Sequence, residues 1–104
     1  MIDMLQSLEP RREDKDAILL HELDEVAEVI FIMNGIYEIG FEINRHQHMV
    51  LRYKDSNVIG AYGVTFNKRS IFIYKTYTEC KGFFIRKSKW LELIDNHREI
   101  SGHL

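Results

Sequence analysis

The sequence has little of several features that assign a protein to a class. It contains a single cysteine, Cys80, and a single proline, Pro10. One cysteine cannot form an intramolecular disulfide, which excludes a disulfide scaffold and favours a reducing compartment. No apolar run approaches the roughly 20 residues of a membrane-spanning helix, and the start Met1-Ile2-Asp3 lacks the basic and apolar regions of a signal peptide. We therefore expect a cytoplasmic chain that does not itself insert into a membrane.

An excess of charge of either sign is also missing. The chain has 14 Lys and Arg residues against 16 Asp and Glu, for a formal net charge of −2. A protein that holds nucleic acid by its phosphates needs a basic surplus, so we expect no nucleic acid partner. At 104 residues, 45% of them hydrophobic, the chain is long enough for one packed core. We expect residues 1–104 to form a single domain.

Short apolar segments separated by polar turns fill most of the chain. From Tyr37 to Ile43 apolar and other residues alternate, which is typical of a strand with one wet face. The continuous run Val29–Met33 predicts a buried strand, and Asn34-Gly35 after it predicts a tight hairpin turn. Further strands are predicted at 17–20, 49–53, 70–77 and 82–86, with a polar tip at 45–48 and a turn at 54–57.

Helical periodicity occurs only near the two ends. Apolar residues recur at helical spacing ahead of Pro10 (Ile2, Leu5 and Leu8) and after Ser88 (Trp90, Leu93, Ile94 and His97). Ser88 is the predicted N-cap of the second helix, whose apolar side is expected to seal the core. A series of antiparallel strands hides its edges by closing on itself. The predicted fold class is mainly β (α+β): an antiparallel β-roll, or double-stranded β-helix of the jelly-roll type, flanked by short helices.

Four segments carry a resemblance to a known family. The segment DAILLHELDEVAEVIFIMNG, residues 16–35, is followed by SNVIGAYG, residues 56–63, and by KRSIFIY, residues 68–74. YTECKGFFIRKSKWLELIDNHREI, residues 77–100, completes the series. In order and spacing the chain resembles the cyclic nucleotide-binding domain family over nearly everything from Leu5 to Ile100. Cys80 and Trp90 are similar to positions common in its channel branch, the cyclic nucleotide-gated and voltage-gated potassium or cation channels.

The resemblance implies a ligand and the residues that hold it. In this family two segments form a phosphate-binding cassette: its backbone N–H groups and one Arg hold the cyclic phosphate of cAMP or cGMP, and one Glu accepts the ribose 2′-OH. By resemblance Gly60 allows close backbone approach, Arg69 pairs with the phosphate, and Ser70 adds a hydroxyl or an N–H. Ala61 takes the position of the Glu, and Tyr62 is bulkier than the usual residue. The predicted phosphate site is Gly60, Ala61, Tyr62, Arg69 and Ser70.

The cassette departs from the family pattern, which lowers the expected affinity. Besides Ala61, Lys68 replaces a proline, Ile71 takes the position of a small residue, and the cassette is one residue short. An unmet sugar hydroxyl in a closed pocket costs roughly 1 to 3 kcal/mol, or about ten- to a hundredfold in affinity. We therefore expect weak or no binding of cAMP or cGMP. The family also covers the base with a further C-terminal helix, and we expect this lid to be missing.

By this resemblance the chain is a regulatory domain and not an enzyme. It would be the cytosolic gating module of a cation channel, with neighbouring channel domains or subunits as partners and a role in ion transport. No cofactor beyond a cyclic nucleotide ligand, no catalytic residue and no metal are expected.

A rival hypothesis is a small cupin-like metal-dependent enzyme on a similar roll. It starts from His46 and His48, which share a face in extended conformation and are two ligands short of a zinc site. Cys80 has no activating partner at a recognisable spacing, so a half-buried inert thiol is expected.

Overall fold

The structure, a computed structural model, describes the backbone of residues 4–102 and the side chains of residues 6–95. Over these residues strands dominate, and helices lie near both ends and in the middle. The elements are α1 (Met4–Ser7), β1 (Glu9–Glu13), β2 (Ile18–Leu20), β3 (Glu28–Asn34), β4 (Ile36–Ile43), β5 (His46–Lys54), β6 (Asn57–Ile59), α2 (Ala61–Phe66), β7 (Ile73–Thr76), β8 (Cys80–Arg86) and α3 (Lys87–Gly102).

Two four-stranded antiparallel sheets enclose the core. One has the order β1-β8-β3-β6 and the other β2-β7-β4-β5. Buried side chains from both sheets meet between them, among them Ile30 and Ile59 of the first and Tyr37 of the second. The predicted mainly β roll is confirmed. In the described part of the chain, no helix combines the length and apolar character needed to cross a bilayer.

The chain changes sheets at Gly35, where the sequence predicted a hairpin. Strand β3 pairs with β6 and β8, whereas β4 pairs with β5 and β7, so the predicted hairpin turn is wrong. Gly35 has a φ of 117°, and a Cβ there would lie 2.6 Å from the carbonyl oxygen of Glu79. A second crossing, at Asp55-Ser56, braces the first, because the Asp55 Oδ1 accepts the Gly35 N–H at 3.0 Å. These two crossings connect the two sheets and so form the roll.

The real hairpin tip is shorter than predicted. Only Asn44 and Arg45 lie between β4 and β5, with φ values of 52° and 68°. Positive φ at both central residues is typical of the two-residue type I′ turn, which fits the twist of the strands it joins. Strand β5 therefore already includes His46 and His48, which the sequence placed in a polar tip.

Two helical features also differ from prediction. Helix α2 was not predicted, because six residues are too few to display a helical period. Helix α3 begins at Lys87, so Ser88 lies in its first turn and is not the N-cap. Both helices pack on a second apolar cluster of Val26, Val29 and Val64, which Trp90 and Leu91 cover. This second core holds the helices against the roll; the predicted contact of His97 lies outside the described side chains.

Candidate functional site

A pocket of about 750 Å³ opens beside α2, between that helix and the segment that leads into β7. Its volume is in the range of about 300 to 1,000 Å³ that is typical of small-molecule sites. It is lined by Leu20, Val26, Gly60, Tyr62, Gly63, Asn67, Lys68, Arg69, Ser70, Ile71, Phe72 and Tyr74. The structure thus brings together four of the five residues that the sequence predicted, Gly60, Tyr62, Arg69 and Ser70.

Gly60 sets the rim of the pocket through its backbone. It precedes α2 with a φ of 90°, in the left-handed region where glycine is at no steric disadvantage. A Cβ there would lie 2.9 Å from both the Glu28 carbonyl oxygen and the Val26 Cγ1. Glycine is therefore required for the fold at this position, whatever ligand the pocket takes.

Ala61, the fifth predicted residue, packs away from the pocket lining. It is half-buried against the cluster of Val26, Val29 and Val64 at the start of α2. No Asp or Glu is among the described residues that line the pocket. The carboxylate of Glu25 lines a smaller adjoining recess, and its Oε1 lies 3.6 Å from the Nζ of Lys87.

Arg69 is exposed at the pocket and is held by main chain. Its Nη1 donates a hydrogen bond of 2.8 Å to the carbonyl oxygen of Leu23. Leu23 itself has a φ of 67°, in the left-handed region. A guanidinium carries five N–H donors in a rigid fork, so one bond fixes its direction while the others can pair with a ligand. Lys68 places a second exposed positive charge next to it.

Ser70 ties the cassette to the loop that follows β2. Its N–H donates to the Asp24 carbonyl oxygen at 3.0 Å, and its own carbonyl oxygen accepts the Leu23 N–H at 2.7 Å. The Ser70 hydroxyl donates to the Phe72 carbonyl oxygen at 2.7 Å. Both donors that the sequence assigned to a ligand therefore stabilise the chain itself.

Aromatic rings lie at both ends of the pocket. Tyr62, 68% exposed, packs against Phe66 with 4.9 Å between ring centroids and forms the outer rim. Tyr74 is half-buried at the inner end and stacks on Tyr37 at 6.5 Å. Burial, with a smaller contribution from Tyr53, raises the pKa of Tyr74, so its hydroxyl is neutral at pH 7.

The pocket is joined to α3 by side chains that the sequence did not single out. Asn67 ends α2 in the left-handed conformation, and its Oδ1 accepts a hydrogen bond from the Lys87 Nζ at 3.1 Å. One turn further along α3, the Trp90 indole donates to the Thr65 Oγ1 at 2.9 Å. An Asn directly after a helix is a usual C-cap signal, but it could not be used without recognising α2.

The described residues offer no site that fits the metal hypothesis. His46 and His48 both lie on β5, and the His48 ring stacks on Phe41 at 5.6 Å. Within the described residues no group of three or more His, Cys, Asp or Glu side chains could hold a metal ion. Cys80 is 1% exposed, so it is fully buried where a half-buried thiol was predicted. Burial is the main cause that raises the pKa of the Cys80 thiol, and the negative charges of Glu13 and Asp55 raise it further.

No known protein family and no curated protein matches this sequence, but solved structures match its fold. A regulatory domain of Toxoplasma gondii PKA, with cAMP, aligns at TM-score 0.72 and 11% identity over 79% of this chain and 31% of its own. A candidate cyclic nucleotide-binding protein of Ruegeria pomeroyi aligns at TM-score 0.80 and 14% identity, over 94% of this chain and 44% of its own. A cAMP-binding acyltransferase of Mycobacterium smegmatis aligns at TM-score 0.71 and 13% identity, over 80% of this chain and 26% of its own.

The fold therefore defines the chain first as an antiparallel β-roll with a helix set between β6 and β7. More particularly, this fold is similar to those of the PKA regulatory domain and the candidate cyclic nucleotide-binding protein named above. The chain spans less than half the length of each of these proteins.

Proposed function

We propose that this chain is a regulatory, non-enzymatic domain whose pocket beside α2 binds a cyclic nucleotide weakly. The observation that carries the proposal is the position of Arg69, an exposed guanidinium directed by the Leu23 carbonyl at the lining of a 750 Å³ pocket. A fork of N–H donors matches two oxygens of a phosphate with charge-assisted hydrogen bonds. Two of the structural neighbours support the choice of ligand, since one is a PKA regulatory domain with cAMP and the other is named as cAMP-binding.

The weakness follows from what the pocket lining offers a sugar. Ala61 replaces the carboxylate that the resemblance assigns to the ribose, and no described lining residue is acidic. Losing one such hydrogen bond lowers affinity by about ten- to a hundredfold. We expect saturable binding of cAMP and cGMP only at high micromolar to millimolar concentrations.

Titration of the protein with cAMP and cGMP, followed by calorimetry and by thermal unfolding, tests this proposal. A ligand that binds only the folded state raises its melting temperature, so we expect saturable stabilisation in the wild type. Arg69→Ala should abolish it, and Arg69→Lys should weaken it because the charge remains without the fork. Arg12→Ala is the matched control, since Arg12 lies on β1 outside the pocket lining and pairs with Glu79.

Two results would contradict the proposal. One is the absence of any stabilisation by either nucleotide at millimolar concentration. The other is binding that survives Arg69→Ala unchanged, because the nucleotide would then occupy a different site.

The wider setting of the domain is part of the same proposal. The resemblance of residues 77–100 to the channel branch supports a cytosolic gating module of a cation channel, with neighbouring channel domains or subunits as partners. The contacts of Asn67 with Lys87 and of Thr65 with Trp90 support such a role, because the first joins a lining residue to α3 and the second joins α2 to α3.

A further inference from the structure

Oxygen atoms around the pocket already accept hydrogen bonds from the chain itself. They are the carbonyl oxygens of Leu23, Asp24, Gly60, Gly63 and Phe72 and the side-chain oxygen of Asn67. Their donors belong to neighbouring main chain, to Ser70, to Arg69 and to α3. Because each already accepts one bond and no described lining residue is Asp or Glu, a ligand hydroxyl entering here would find no charged acceptor for its proton.

Donors, by contrast, are plentiful on the same surface. Arg69 gives one of five N–H groups to Leu23, and Lys68 adds an exposed ammonium with three more. The Tyr74 hydroxyl, neutral at pH 7, is a further donor. The charged side chains of the pocket lining, Lys68 and Arg69, are thus donors only, which suits a ligand group made only of acceptors, such as a phosphate.

The remaining lining is apolar and partly flat. Leu20 and Val26 form one wall, Phe72 and the Tyr74 ring another, and Ile71, 72% exposed, stands at the entrance. Such a surface gains free energy by covering the faces of a planar group and offers nothing to a sugar hydroxyl.

Resting on the proposed function of this pocket, we propose that it recognises a phosphate carried on a flat apolar body and makes no use of hydroxyl groups on the ligand. The ribose 2′-OH of a cyclic nucleotide then contributes nothing to affinity. Any phosphate ester with a planar apolar part and no hydroxyl is a ligand of the same class.

Calorimetric titration with cAMP, 2′-deoxy-cAMP, 1-naphthyl phosphate and inorganic phosphate tests this. We expect 2′-deoxy-cAMP to bind within about twofold of cAMP, whereas a pocket that reads the hydroxyl would lose about ten- to a hundredfold. 1-Naphthyl phosphate should bind and compete with the nucleotides, and inorganic phosphate should bind at least about tenfold more weakly because it lacks the apolar body. Arg69→Ala should abolish each interaction, and Arg12→Ala should leave them unchanged.

The outcomes separate this inference from the function on which it rests. If cAMP binds through Arg69 and 2′-deoxy-cAMP is tenfold weaker, the inference is overturned and the proposed function stands. If neither nucleotide binds while 1-naphthyl phosphate binds and loses affinity in Arg69→Ala, the inference is supported and the proposed function falls. If none of the three organic phosphates binds, both are overturned.

Discussion

At the residue scale, the candidate site combines positions that a sequence pattern can indicate with contacts that it cannot. Gly60 and Arg69 stand at either end of a short segment that resembles a cassette, so both were found without a structure. The partner of Arg69, the Leu23 carbonyl, is 46 residues away along the chain. A main-chain acceptor at that distance has no side-chain signature, so the sequence could not show that the guanidinium is already anchored.

The hairpin tip offers a test of backbone strain at single residues. Arg45 has a φ of 68° and Asn44 a φ of 52°. Left-handed backbone disfavours side chains with a Cβ by roughly 1 to 2 kcal/mol, and Asn tolerates it better than most. Against this gain, glycine costs roughly 0.5 to 1 kcal/mol of stability, because it loses more conformational entropy on folding than other residues do.

We therefore expect Arg45→Gly to stabilise the protein by a few tenths to about 1 kcal/mol. Asn44→Gly should give a smaller gain, and this variant is the matched control. Urea unfolding of the two variants beside the wild type measures both. A destabilisation by Arg45→Gly, or a gain no larger than that of Asn44→Gly, would contradict the assigned turn.

At the element scale, the sequence identified strands well and the short middle helix not at all. The strand predicted from Tyr37 to Ile43 is present within β4, although its burial alternates only in part, since Gly40 is buried and Ile43 is 51% exposed. Helix α2 has glycine before it and within it, at Gly60 and Gly63. Both glycines pack tightly on Val26, and Gly60 also has a positive φ, so the fold and not helix propensity explains them. Tertiary packing therefore overrides propensity at the element that borders the pocket.

The bond between α2 and α3 gives the element-scale prediction. Trp90 is half-buried, and its indole N–H has the Thr65 hydroxyl as its partner at 2.9 Å. Thr65→Val keeps the shape and removes the acceptor, which should destabilise the protein by about 1 kcal/mol. Thr65→Ser keeps a hydroxyl and is the control for the bond.

Because Trp90 is the single tryptophan of the chain, its fluorescence reports directly on this contact. We expect the emission maximum and the unfolding midpoint to change in Thr65→Val and to stay close to wild type in Thr65→Ser. Equal behaviour of the two variants would mean that the hydrogen bond does not hold the helices together.

At the scale of the whole molecule, the sequence predicted a roll but not the assignment of strands to sheets. Asn34-Gly35 has the composition of a hairpin turn, yet the chain crosses to the other sheet there. The deciding contacts are non-local: Gly35 meets Glu79 and Cys80 on one side and Asp55 on the other. A local pattern contains the turn and its positive φ, whereas the direction in which the chain leaves depends on these distant residues.

The closed roll also predicts how stability depends on alkaline pH. The pKa of Tyr37 is raised from 10.0 to about 12. Burial is the largest cause, and electrostatic interactions with Tyr74, Tyr53 and Cys80 add to it. Burial likewise raises the pKa of Tyr74 and of Cys80. For all three groups, folding favours the neutral form over the charged form. Their contribution is therefore complete below the unfolded pKa values and is lost as the pH rises through the folded ones.

We expect the free energy of unfolding to fall from about pH 9, where an unfolded thiol begins to titrate, and most steeply between about pH 10 and 12. For Tyr37 the loss is of the order of 3 kcal/mol, since its pKa rises by about two units and one unit corresponds to about 1.4 kcal/mol. Urea unfolding at a series of pH values from 7 to 12 measures this, and Tyr37→Phe should lose the largest part of the decline. A midpoint that stays constant across this range, or a slope that Tyr37→Phe leaves intact, would show that water reaches the centre of the roll.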